Sequence, residues 1–194
     1  MKIGIFVHSV SGNTYLLAGQ MVQAFQALGE DAQLYRVSDP DGQAIVDEWG
    51  LDQNIYNEYL SLPEAKPNDL LPCDHLVFAS PTYFGNVSAE MKALFDSAAI
   101  FWTDAMLSGK TCSALTTAGT AEGGGDQALK AVHTFAQHMG MLSISVPCNL
   151  IPGTDLTAYG IKHYTGADGS IRPGKEQEQQ VHAFAKWIVQ MHKK

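Results

Sequence analysis

The chain has 194 residues, 45% of them apolar, and a net charge of −8 from 20 acidic and 12 basic residues. This is enough apolar chain for one domain, residues 1–194, with a full core. The acidity argues against a nucleic-acid surface, which needs a basic stripe, but not against a phosphorylated small ligand, because backbone N–H groups hold phosphate without net positive charge.

Along the chain, strand and helix patterns alternate. "KIGIFVH" (Lys2–His8) reads as a buried strand. From Asn13 to Leu28 the apolar residues Leu16, Leu17, Met21, Val22, Phe25 and Leu28 recur at helical spacing, and Gly29 stops the helix. Ala32–Val37 is a second strand. Asp39–Pro72 holds four prolines and is the least regular part, with short helices expected around Gln43–Trp49 and Ile55–Leu60. His75–Ser80 is a third strand and Ser88–Phe101 a helix. Lys110–Thr117 is a fourth strand, Gly124–Met139 a helix, Met141–Pro147 a fifth strand and Glu176–Met191 the last helix.

Buried strands alternating with helices indicate an α/β protein with a parallel sheet and helices on both faces. Five strands fit the doubly wound, flavodoxin-like order 2-1-3-4-5, whose ligands bind beyond the carboxyl ends of the strands. No apolar run approaches the roughly 20 residues that span a membrane, and the first is too short for a signal-peptide core. A cytoplasmic protein without a membrane span is expected. Of the three cysteines, Cys112 and Cys148 lie in apolar, strand-like runs and read as small buried hydrophobes.

Three loops fall at the expected binding edge. The first, Ser9–Thr14, is small and hydroxylated. The hydroxyls of Ser9, Ser11 and Thr14, the Asn13 amide, the Gly12 backbone and the free N–H groups of the following helix make a set for a phosphate. A plain helix cap by Ser11 or Asn13 explains the same residues equally well. Neither a Walker loop nor a dinucleotide fingerprint occurs. The second loop, Pro81, Thr82, Tyr83, Phe84, Gly85 and Asn86, sets aromatic area at the switch point. The third, Thr116–Asp126, has three consecutive glycines, Gly123–Gly125, which are costly to order. Flavin mononucleotide (FMN) needs such a set: a phosphate site, a chain lined by polar groups and a wall for a planar ring. No paired histidine spacing points to a metal.

The segments "SVSGNT", "PTYFGNVSAEMKALFD", "FW" at Phe101–Trp102, "TTAGTAEGGG", "HMGM" at His138–Met141 and "YTGADGSIRP" at Tyr164–Pro173 resemble the WrbA-type NAD(P)H:quinone oxidoreductases of the flavodoxin-like superfamily. The resemblance runs in order over almost the whole chain. It implies FMN as cofactor, NAD(P)H as donor, a quinone as acceptor and two-electron, ping-pong hydride transfer through the flavin. It also implies a homo-oligomer, a dimer or a homotetramer, in which neighbouring subunits wall the flavin. By motif, Ser9, Ser11, Gly12, Asn13 and Thr14 hold the phosphate, and Pro81–Asn86 lie along the ring. Thr117, Ala118, Gly119, Thr120, Gly123 and Gly124 contact the ring and ribityl chain. Trp102 and His138 match the family's aromatic and histidine at the open flavin face, with His138 placed to donate to the bound quinone. This chain departs from the family in having Tyr83 for the usual Arg, an extra residue near Ala121–Glu122 and an unmatched stretch before Pro72. The alternatives are a flavodoxin-like electron carrier and a flavin-binding regulatory domain without quinone reductase activity.

Overall fold

The computed structural model describes residues 1–154 and 156–193. A parallel sheet forms the centre, built from β1 (Lys2–Val7), β2 (Asp31–Arg36), β3 (His75–Pro81), β4 (Thr111–Ala118), β5 (Leu142–Ser143) and β6 (Ile161–Tyr164). The order is β2-β1-β3-β4-β5, with β6 also paired to β4, so the expected flavodoxin-like topology is present.

The helices are α1 (Asn13–Ala27), α2 (Gly42–Trp49), α3 (Gln53–Leu60), α4 (Ala89–Ser97), α5 (Gly125–His138) and α6 (Lys175–His192). The central strands β1, β3 and β4 are buried on both faces, so their alternate side chains feed two cores. Ile3, Ile5, Val77 and Leu115 pack with Leu17, Met21 and Phe25 of α1 and with Val181, Phe184 and Ile188 of α6. Phe6, Leu76, Phe78 and Ala114 point the other way, to Met91 and Phe95 of α4 and to Leu129 and Val132 of α5. Burying a Leu- or Phe-sized side chain stabilises by about 1.5–3 kcal/mol. Both faces of the sheet must therefore be covered, and the alternation of strand and helix covers them.

The fifth strand differs from expectation. Instead of one strand over Met141–Pro147, the position is shared by two segments. β5 pairs with Thr111 and Cys112, and β6 returns to pair with Leu115–Ala118. The chain leaves after Ile144, whose N–H still reaches Cys112 O, while Val146 N–H turns to Ala158 O. Pro147 has no N–H for a ladder, so the run cannot continue as a central strand. The return depends on Gly160, at φ +148°, where a Cβ would lie 2.2 Å from Ala114 O. Cys148 therefore lies in the excursion and is exposed, not buried in a strand, whereas Cys73 and Cys112 are buried. Among the described residues, no helix is long and apolar enough to cross a membrane.

The long connection after β2 contains the two short helices expected there. α3 starts at Asp52, whose carboxylate accepts from the N–H groups of Asn54 and Ile55. It carries Tyr56 and Tyr59 into the core, and Tyr59 Oη donates to Val37 O at 3.0 Å. This segment thereby places Trp49 and Leu51 beside the carboxyl ends of β1 and β3.

Candidate functional site

A crevice of about 400 Å³ opens at the carboxyl ends of the strands. Three expected loops supply part of its lining: Ser11 and Thr14, then Pro81, Thr82 and Tyr83, then Thr117, Ala118 and Gly119. A larger cavity, about 710 Å³, lies beside the start of α6 and mixes acidic and basic side chains. The smaller one lies where the topology places ligands.

The first loop is not a side-chain cap. The residue at the start of α1 is Gly12, in the left-handed region at φ +89°, and no side-chain hydrogen bond caps the helix. The Asn13 amide instead donates to Gly169 O at 2.7 Å, pinning a C-terminal loop to this one. The first N–H groups of a helix have no intrahelical acceptor, and here no side chain takes that place. Ser9 is 1% exposed, and its hydroxyl is buried without a partner. A buried, unpaired hydroxyl costs about 1–3 kcal/mol; Ser9 is not itself part of the crevice lining, which in this loop is Val10, Ser11 and Thr14. Arg172 donates to Ser11 O and braces the loop from behind. Among the described residues, no basic side chain lines the crevice, so an anion there is held by hydroxyl and backbone N–H groups.

A hydroxyl network joins the three loops beneath the crevice. Thr14 Oγ1 and Thr117 Oγ1 are 2.8 Å apart. Thr82 N–H donates to Thr117 O, and Thr82 Oγ1 lies 3.0 Å from Thr116 Oγ1. Thr116 in turn donates to Ser80 O at 2.8 Å. The second loop ends in a tight turn in which Tyr83 and Asn86 exchange backbone hydrogen bonds. Its tip is Phe84–Gly85, with Phe84 at φ +50° and Gly85 at +77°. Phe84 is fully exposed. A bulky residue in the left-handed region is strained, and strain of this kind clusters at functional sites. Burial and the nearby charges of Glu90 and Asp39 push the Tyr83 phenol upward, so it stays a neutral donor at the crevice wall.

The third loop approaches the second closely. At Gly124, φ is +80°, and a Cβ would meet Gly85 Cα at 2.7 Å. Gly123, Gly124 and Thr120 thus shape the rim behind the crevice, and Gly119 alone of the glycines expected at the site lines it. Phe84, Gly85 and Asn86 likewise form the turn beyond it. Trp102 and His138 lie elsewhere in this chain. His138 ends α5, and the turn after it bonds Gly109 through Gly140 O, at the amino ends of the strands. Trp102 follows the helical turn after α4 and is 63% exposed.

The crevice also has lining that the loop-by-loop reading missed: Val10, Trp49, Leu51 and the Thr165–Gly169 segment. Trp49 had a signal, an aromatic at the exposed end of a short helix. The Gly166–Ser170 run enters the sequence reading only through the family resemblance, and the Asn13 bond to Gly169 O gives it a place at the crevice.

Residues 1–154 match the family described as NADPH-dependent FMN reductase. The chain belongs to that family. It is also 31% identical over 140 aligned positions to a protein of Deinococcus radiodurans named NAD(P)H dehydrogenase (quinone), covering 72% of this chain and 70% of the relative. A protein of the same name from Methanosarcina barkeri is 24% identical over 204 aligned positions, covering 100% of this chain and 98% of the relative. Among solved structures, this member of the FMN reductase family is similar to a flavodoxin, WrbA-like protein of Agrobacterium tumefaciens. The TM-score is 0.61 at 16% identity, over 98% of this chain and 95% of that one. It is also similar to oxidised flavodoxin 1 of Bacillus cereus, with a TM-score of 0.66 at 14% identity over 98% of both chains. At these identities the two structures speak to the fold, which agrees with the sheet order of the FMN reductase family member described above.

Proposed function

We propose that this chain is an FMN-dependent NAD(P)H:quinone oxidoreductase. The observation that carries the reading is the first loop: an uncapped helix start beside the buried, unpartnered Ser9 hydroxyl. That donor set suits a phosphate monoester. The relatives named NAD(P)H dehydrogenase (quinone) support the choice of donor and acceptor.

When bound, FMN would supply the redox chemistry that links a reduced nicotinamide to a quinone. The residues of this chain bind and orient. Ser9, Ser11, Gly12, Asn13 and Thr14 hold the phosphate through hydroxyl and backbone N–H groups. Pro81, Thr82 and Tyr83, with Thr117, Ala118 and Gly119, flank the ring. Phe84, Gly85, Asn86, Thr120, Gly123 and Gly124 set the rim at which substrate enters. Trp49 adds an aromatic wall, and the 166–169 loop, held by Asn13, excludes water from one side. Trp102 and His138 belong to the site only if a second copy of the chain presents them, and the proposed homotetramer supplies that copy. In that assembly His138 donates a hydrogen bond to the quinone.

The test is steady-state turnover of FMN-loaded protein with NADH or NADPH and a soluble benzoquinone. The reading expects parallel lines in double-reciprocal plots, the mark of ping-pong exchange. His138→Ala lowers the quinone-dependent rate with FMN retained. Tight FMN binding without turnover would instead leave the electron-carrier reading.

A further inference from the structure

A second polar cluster lies beside the first loop, and the flavin reading makes no use of it. His8 directly follows β1, immediately before Ser9, and its ring is almost fully buried. Its Nε2 lies 3.0 Å from Asp39 Oδ2. Its Nδ1 lies 3.6 Å from Glu90 Oε2. The Asp39 side chain, just after β2, is 3% exposed, and that of Glu90, in the first turn of α4, is 29% exposed. Among the described residues, His8, Asp39 and Glu90 form the group of potential metal ligands whose donor atoms all fall within 4.8 Å of one another.

The geometry of this cluster leaves one buried ring nitrogen without a hydrogen-bond partner. An ionised carboxylate only accepts, so Nε2 is the ring nitrogen that donates to Asp39. In a neutral imidazole that leaves a lone pair on Nδ1. Nδ1 is buried and has no hydrogen-bond partner, and it faces a second acceptor, Glu90. Two acceptors at 3.6 Å are too far apart for a hydrogen bond and repel unless a cation lies between them. Two atoms each about 2.0–2.1 Å from a tetrahedral ion lie roughly 3.4 Å apart, close to the observed spacing. A carboxylate that takes the other ring N–H is the usual support of a metal-binding histidine, and Asp39 stands in that place. The other Asp39 oxygen accepts from the backbone N–H of Asp41 at 3.3 Å, which fixes the carboxylate in place.

We propose that His8 and Glu90 ligate a divalent cation of the zinc class through Nδ1 and a carboxylate oxygen. Asp39 orients the His8 ring by accepting from Nε2. The remaining positions open on the Glu90 side, where water completes the shell. The site borders the crevice, since Glu90 and Asp39 also act on the Tyr83 phenol, but its ligands are not those of the flavin reading and it does not depend on that reading.

Chelator-treated, untagged full-length protein is titrated with Zn²⁺ by calorimetry and with Co²⁺ by visible absorption. The expected result is saturation at one ion per chain, weakened at least tenfold in Glu90→Gln and in His8→Gln. Because Glu90 is partly exposed, its variant keeps the fold, checked by circular dichroism, even if the His8 variant does not. Absence of saturable binding overturns the proposal. So does binding that Glu90→Gln leaves unchanged, which would put the ion on another histidine. Nitrogen NMR of the metal-free protein that shows His8 doubly protonated at pH 7.5, with no zinc uptake, makes a proton the bridging cation and also overturns it.

Discussion

At the scale of single residues, Gly124 is the position where backbone geometry most directly supports the site. Its left-handed φ costs an L-residue about 1–2 kcal/mol, and a Cβ would press on Gly85 Cα at 2.7 Å. Gly124→Ala is therefore expected to lower stability by at least about 1 kcal/mol and to weaken flavin binding, because the clash pushes the Tyr83–Asn86 turn away from its place. Urea unfolding and a flavin titration check both, and an unchanged midpoint with unchanged affinity would contradict the account. Much of this was visible in the amino acids alone. The Ser9–Thr14 loop and the Pro81–Tyr83 turn could be placed at the carboxyl edge of the sheet from the strand–helix alternation, but not their ligand, since a helix cap uses the same residue types as a phosphate site. The role of Asn13 was not legible, since a cap and a loop clamp use the same amide. Only the bond to Gly169 O separates them. Trp102 and His138 were legible as chemistry but not as geometry, because nothing local says which end of the sheet a helix terminus will reach.

At the scale of elements, the pairing of β3 with β4 encloses a pH-sensitive group far from the crevice. The two ring nitrogens of His75 meet Thr111 Oγ1 at 2.7 Å and Ser113 Oγ at 2.9 Å. Burial first, and the neighbouring His192 second, push its pKa down to about 3. An unfolded histidine titrates near 6.5. Between those values the unfolded chain binds a proton that the native chain does not. This contribution to stability is thus complete above pH ~6.5 and declines by about 1.4 kcal/mol per pH unit below it. Urea midpoints of the wild type and His75→Gln between pH 6.5 and 5 test this. The wild type should lose stability faster with acid, and equal slopes would refute the assignment. The elements themselves followed from periodicity: α1, α3, α4, α5 and α6 lie within a few residues of the expected spans, because each has an apolar stripe and an end signal. The fifth strand did not follow, since an apolar run reads alike whether it stays in the sheet or leaves it. What decided the matter was Pro147 together with the return at Gly160, a long-range contact with Ala114 that no local pattern encodes.

At the scale of the whole molecule, the chain presents a half-open crevice with Trp49, Tyr83 and Phe84 exposed around it. Trp102, Ile100 and Met106 are exposed as well, in and after the helical turn that follows α4. Exposed aromatic and aliphatic area of this kind marks interaction surfaces. If a second copy brings Trp102 and His138 to the crevice, turnover per chain must fall on dilution in step with dissociation seen by sedimentation. A monomer that turns over at the full rate would remove those two residues from the site. The acidity of the chain also has meaning at this scale. No basic side chain lines the crevice among the described residues, and Arg172, the cation at the first loop, is engaged with Ser11 O, so affinity for a flavin phosphate is assigned chiefly to Ser11, Thr14 and the start of α1. The most direct measurement is a fluorescence titration of the flavin-free protein with FMN and, in parallel, with riboflavin, which carries the same ring and chain without the phosphate. The account predicts FMN binding in the micromolar range or tighter and riboflavin at least tenfold weaker. Equal affinities, or no binding of either, would contradict it.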